Sequence, residues 1–556
     1  MMIAGCQRAL APFRSAMIER GDDHVPWRTQ PVFRWGLMAR EGNRPVPCCV
    51  AARPCHRMRD SVVRFVALLV VLVGTSLSTA QASEFFDKLI DRARHSATQA
   101  YTKGAPVADT AKLGYDAYRG IRFRPDSILW RDKKSSFHVE FFPTGFLYQT
   151  PVKMYVIQRT GSESAGAATA LSPSPEMFDF GTATPPANVG FAGFKVTHPL
   201  NGQKFDEIVS FLGASYFRPI GKGQVYGASA RGLAIDTAQP RSEEFPEFRE
   251  FWLVEPAPGD KSITIYALLE SPGASGAYAF TVTPGARTTV DVDARLFMRH
   301  GVSMLGIAPL TSMFLSGKSG PWRDDFRPEV HDSDGLALLT GGGERIWRPL
   351  GNPGSLQVSS FVDNNPRGFG LQQRERRFDR YQDGVAKYQT RPSLWIEPKG
   401  DWGEGEVRLV EIPTPSEHHD NIVAFWVSRW PVEKGAALEY RYRLSALSDE
   451  ASLAPEARVV ATRQASVDGN DKARRLVVEF EGDVLTRLPE ERVVESNVEV
   501  SGGKLLRAEI DRPSGSANRR LFLDVEPESR RTADIRAFLT VDGKRSSETF
   551  STQLRP

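Results

Sequence analysis

No cysteine follows residue 55. Cys6, Cys48, Cys49 and Cys55 all lie near the start of a 556-residue chain, so beyond them neither a disulfide framework nor a thiolate metal site is available. Lysine is missing from residues 1–82, which carry 11 arginines and 5 acidic residues. After that leader 60 basic residues face 62 acidic ones. The basic pI therefore belongs to the leader, and nothing in the rest asks for nucleic acid or an anionic membrane as partner. Long apolar runs are scarce as well. The run from Phe65 to Val73 is short for a span of about 20 residues. It follows Arg59 and Arg64 and leads into Ala80-Gln81-Ala82, the three-part pattern of a secretory signal cleaved after Ala82. No twin arginine precedes it, which favours the general secretory route and a periplasmic destination.

A signal that starts at Met58 leaves residues 1–57, rich in Arg and Pro, as a start-site artefact or disordered leader. N-terminal sequencing that finds these residues in the cell would overturn that reading. The exported part, residues 83–556, is too long for one compact core and predicts at least two domains.

Helical periodicity is also scarce. Only "EFFDKLIDRARHSATQAY", residues 84–101, has helix spacing. The texture then changes to alternation, in "SFHVEFFP", "VKMYVIQRT", "SITIYALLE", "AYAFTVTPG" and "TTVDVDARLFM", separated by Gly, Pro, Asn or Asp. These are half-buried antiparallel strands, and the fold class is all-β with large sandwiched sheets. Residues 448–457, within "SALSDEASLAPEA", lack alternation and read as a linker between a domain at 83–447 and one at 458–556. The last segment resumes short strands ("RRLVVEFEG", "NVEVSGG", "LLRAEIDR", "RRLFLDVEP", "IRAFLTVDG"), fitting an immunoglobulin-like sandwich.

Two tempting motifs fail. "SGKSG" at 316–320 lacks the earlier glycine of a phosphate loop, and the adjacent His418 and His419 would face opposite sides of a strand, which argues against joint metal ligation. No metal or cofactor is called for. What stands out is the region 322–426, where Trp347, Tyr381, Trp395, Trp402 and Trp426 lie among Asp, Glu, Asn, Gln and Arg. Flat rings with carboxylates and amides suit a carbohydrate cleft; each ring alone would equally suit a core. A glycosidase needs two carboxyl groups, and composition leaves open which two among Asp324, Asp325, Glu329, Asp332, Asp334, Asp383, Glu397 and Asp420.

The runs "DEIVSFLGASYFRPIGKGQVYGASARGLAIDTA" (206–238), "RPEVHDSDGL" (327–336), "IWRPLGNP" (346–353), "NPRGFGLQQR" (365–374), "RPSLWIEPKGDWGEG" (391–405) and "VEIPT" with "DNIVAFW" resemble the periplasmic glucan biosynthesis proteins G and D of Gram-negative bacteria. The resemblance covers about Phe85 to Leu447 and, more weakly, the rest. It implies a galactose-mutarotase-like β-sandwich joined to an immunoglobulin-like domain, and a role in making osmoregulated periplasmic glucans with a β-1,2-linked backbone. Some members are similar to anomer-inverting endo-β-1,2-glucanases. On that similarity Asp420 of "DNIVA" is the general acid and Asp332 of "HDSDG" stands on the general-base side, with His331, Arg327, Arg374 and the five aromatics expected to bind substrate.

Acting near neutral pH would require burial to raise Asp420, whereas Asp332 should stay charged, helped by His331 and neighbouring polar groups. Inverting geometry expects the carboxyls about 6.5–9.5 Å apart, or farther if waters relay the proton. Asp334 stands where G proteins commonly have Asn and is expected to perturb Asp332. The plainer reading makes Asp420 a strand cap and Asp332 a turn residue. The secretion signal favours a G-like member, and G-type proteins are either slow hydrolases or chiefly scaffolds. A hydrolase and a non-catalytic protein that holds glucan or the inner-membrane glucan synthase thus both stand open, and only the first needs Asp420.

Overall fold

The computed structural model describes residues 84–555, apart from 111, 160–167, 319, 321–323, 449–455 and 490. The expectations for residues 1–57, for the signal and its cleavage, and for most of the 448–457 linker lie outside the described residues.

The expected N-terminal helix spans 84–97, a turn shorter than its periodicity suggested. It lays Leu89 and Ala93 against Trp252, Tyr266 and Phe297 on the outer face of a sheet, and Arg92 reaches Glu250 at 2.6 Å. The alternating segments are all strands. Thr288–Met298, for example, buries every second residue over most of its length. Its outward Asp291 takes Arg443 from the neighbouring strand at 2.9 Å.

Two large sheets face each other. In one of ten strands, Leu305–Ser312 is flanked by Ser229–Arg231 and Ile422–Ser428; the other has fifteen strands. Rings from both interlock between them. Phe194 meets Phe251 at 5.0 Å, and Phe211 meets Phe280 at 5.2 Å, edge to face. Edge-to-face packing of this kind adds about 0.5–1.5 kcal/mol per pair beyond burial.

The C-terminal strands form a second sandwich. A four-stranded sheet packs Leu476, Val478, Phe480 and Leu523 against Ile535, Ala537 and Leu539 of the facing layer. That facing layer is not separate from the large domain. Thr549–Leu554 pairs in parallel with Arg345–Pro349, with Trp347 opposite Phe550, so one hydrogen-bonded sheet runs from the large sandwich into the C-terminal strands.

Candidate active site

The site is built around a short strand, Phe314–Ser316. Phe314 pairs with His331 and the Asp332 N–H donates to the Met313 carbonyl at 2.8 Å. Ile422, the first residue of Ile422–Ser428, pairs with Ser312 at the end of the preceding strand, Leu305–Ser312. The "HDSDG" and "DNIVA" segments therefore both adjoin the stretch 312–316.

Asn421 makes the second junction. Its Oδ1 accepts from the Phe314 N–H at 2.8 Å, and its Nδ2 donates to the carbonyls of Phe314 at 3.0 Å and Ile412 at 2.9 Å. The side-chain amide replaces a backbone rung at the place where the chain leaves the sheet, and it holds the backbone of Asp420. Asn421→Leu would leave three backbone groups without these partners, at ~1–3 kcal/mol for each one that stays dry. The expected result is a lowered urea midpoint, measured by chemical denaturation.

Asp420 is 9% exposed and lies close enough to Tyr148 to affect it electrostatically. Burial raises the Tyr148 phenol far above its usual range, with Arg218 opposing and Asp420 adding to the rise. Asp332 has no exposed surface. Its Oδ1 accepts from Nη1 of Arg391, itself buried. Arg391 in turn donates through Nε and Nη2 to the Ala386 carbonyl at 3.2 and 3.1 Å, and its guanidinium lies 4.2 Å from the centre of the Tyr388 ring.

The Tyr388 hydroxyl donates to Glu417 at 2.6 Å, and Arg327 donates to the same carboxylate oxygen at 2.7 Å and to Asp383 at 3.0 Å. A continuous polar chain thus runs from Asp332 through Arg391, Tyr388 and Glu417 to Arg327. Glu417 stands only three residues before Asp420.

The counter-ion of Asp332 is Arg391, not His331, which corrects the sequence expectation. Neighbouring residues on a strand face opposite ways, and His331 faces Gln373 and Glu329 at 2.9 and 3.0 Å. Gln373 Nε2 is committed to two carbonyls, so its oxygen faces Nδ1, which must carry a proton. With Nε2 against a carboxylate, the ring is best satisfied as an imidazolium. Burial opposes that charge, but Asp334 and Glu329 outweigh it and hold His331 above its ordinary value, with Lys318 pulling the other way.

A raised folded-state value makes this contribution complete below about pH 6.5. It is lost as pH rises through the folded-state value. The wild-type Tm is expected to fall across that window relative to His331→Gln, measured by thermal melts from pH 5 to 9.

Asp334 accepts from the N–H groups of Arg374 and Glu375 at 2.5 and 2.8 Å and lies 3.6 Å from His331. Glu329, His331 and Asp334 bring ligand atoms within 4.8 Å of one another, a pattern a divalent cation can use, but the imidazolium and its two carboxylates account for the same distances.

The tryptophans are elsewhere. Trp347 and Trp395 are buried in the core shared with the C-terminal strands, on Gly335 and Gly368, which leave no room for a Cβ. Trp402 and Trp426 belong to the main inter-sheet core. Tyr381, fully buried, packs edge-on to His331 at 5.2 Å. A ring packed on both faces offers no platform to a sugar, so these rings set the shape of the site from behind. Arg374 stacks on Trp347 at 3.5 Å and pairs with Glu548 at 2.6 Å, tying the two sandwiches together.

Sequence reasoning passed over Arg391, Tyr388, Glu417, Gln373 and Asn421. The clearest missed signal was Arg391, a cation placed directly before Pro392 and an apolar strand.

A sequence profile described as periplasmic glucan biosynthesis protein, MdoG, matches residues 85–554. The chain belongs to that family. Among its curated relatives in the MdoG family, glucans biosynthesis protein G 1 of Shewanella oneidensis is 44% identical over 476 residues, 84% of this chain and 86% of the relative. The probable glucans biosynthesis protein D of the same organism is 41% identical over 521 residues, 90% of this chain and 95% of the relative. G-named and D-named relatives are thus about equally similar, so the comparison does not repeat the preference drawn from the secretion signal. Among the described residues, no helix is long and apolar enough to cross a membrane.

Proposed function

We propose that this member of the periplasmic glucan biosynthesis family is exported to the periplasm, with its signal removed after Ala82, and acts on the β-1,2-glucan backbone as an inverting endo-hydrolase. The observation that carries the reading is the placement of Asp420, nearly buried beside Tyr148 at the mouth of Ile422–Ser428, with the Asp332 segment joined to the same stretch 312–316. In this reading Asp420 protonates the departing glycosidic oxygen. Asp332, which has no exposed surface, serves the base side through an intermediary rather than by touching the attacking water. The large sandwich is then of galactose-mutarotase type and the C-terminal one immunoglobulin-like.

A second reading has its own support. Asp332 has no exposed surface and its Oδ1 is taken by Arg391, as suits a non-catalytic protein that holds glucan for the inner-membrane synthase. Incubating linear β-1,2-glucan with the protein from residue 83 onward, beside Asp420→Asn, separates the two. Shortening by the wild type alone supports the hydrolase. Binding by both without shortening supports the holding protein.

A further inference from the structure

Behind the carboxylate chain, where the large sandwich meets the C-terminal strands, lies a cavity of about 720 Å³. One wall is the segment 373–380 with Lys318; the other carries Arg458, Arg463, Arg520, Glu479 and Glu481 over Val460 and Ala461. Seven arginines and one lysine line it against three glutamates.

Glu375 and Glu479 each pair within their own wall. Glu375 is shared by Lys318 at 3.0 Å, Arg377 at 3.1 Å and Arg380 at 3.7 Å. Glu479 is shared by Arg463 and Arg520, each at 3.4 Å. Burial acts to raise Glu375, but Arg377 and Lys318 override it and hold it at about 2, so this carboxylate is already ionised and surrounded. Arg374 on the cavity wall pairs with Glu548 and donates to the Val459 carbonyl at 2.6 Å, Lys318 donates to the Val460 carbonyl at 3.4 Å, and Arg536 and Arg545 pair with Glu344. The lining is nonetheless net positive, a charge that an anion in the gap would offset.

We propose that this cavity binds a small organic anion carrying phosphate or carboxylate groups. Guanidinium forks from both walls match the paired oxygens of either group, and the volume falls within the range of small-molecule sites, about 300–1,000 Å³. The cavity meets the candidate active site at two residues. Gln373 caps His331, and Arg376 donates to the carbonyl of Arg391, the partner of Asp332. The proposal does not depend on glucan cleavage.

Isothermal titration of the purified protein with pyrophosphate, and separately with citrate, at low salt tests it. The expected result is saturable binding of at least one probe, the tighter one naming the charged group. Arg463→Gln/Arg520→Gln should weaken that binding at least tenfold. Glu479→Gln, which removes a competing carboxylate and keeps both arginines, should tighten it severalfold, a change in the direction that misfolding cannot imitate. No saturable heat with either probe, or an affinity that both variants leave unchanged, would overturn the proposal.

Discussion

Asp420→Asn is expected to slow the shortening of linear β-1,2-glucan by about 10²–10⁴-fold, the usual contribution of a positioned proton donor, with glucan binding kept. The substitution preserves shape and removes only the transferable proton. Asp420 is 9% exposed and its backbone is fixed by the three hydrogen bonds of Asn421 to Phe314 and Ile412, so the variant should fold as the wild type does. Rates from reducing-end assays, with binding measured separately by titration, give the result. If the variant shortens the polymer as fast as the wild type, Asp420 is a strand cap and the proton comes from elsewhere.

Arg391→Ala is expected to have the largest effect on stability. Its pair with Asp332 is wholly buried, and removing one partner of a buried ion pair costs about 3–5 kcal/mol, because the other charge is left in a dry site. The same change strips the cover from one face of Tyr388 and two donors from the Ala386 carbonyl. Asp332→Asn/Arg391→Met should recover much of the loss, since no lone charge remains. Urea unfolding of Asp332→Asn, Arg391→Met and the double variant closes the cycle. Purely additive losses would mean the pair is not a coupled unit. Because Arg391 holds Asp332 in place, the single variant should also lose activity if the hydrolase reading is right.

Much of the fold could be read locally. Alternation in "TTVDVDARLFM" became the strand Thr288–Met298 with its alternating burial, and the helix spacing near Leu89 and Ala93 became a helix with those residues inward. The apolar run after Asp420 became Ile422–Ser428. Each depends only on the two-residue or 3.6-residue period that a backbone imposes on its own side chains.

The tryptophans show where such reading ends. Their crowding among charges suggested a sugar cleft, yet Trp347 and Trp395 seal the joint to the C-terminal strands while Trp402 and Trp426 fill the space between sheets. Composition reports that rings and charges are near one another along the chain, not which face of which sheet each occupies.

The sequence by itself determined the all-β class, the strand positions, the family and the two segments that hold Asp332 and Asp420. Only the tertiary structure decided who partners them. Asp332 meets Arg391 from 59 residues away, and Glu417 meets Arg327 from 90 residues away. These partnerships are set by sheet order and register, which place segments distant in sequence on adjacent strands and loops, and no local period carries that information.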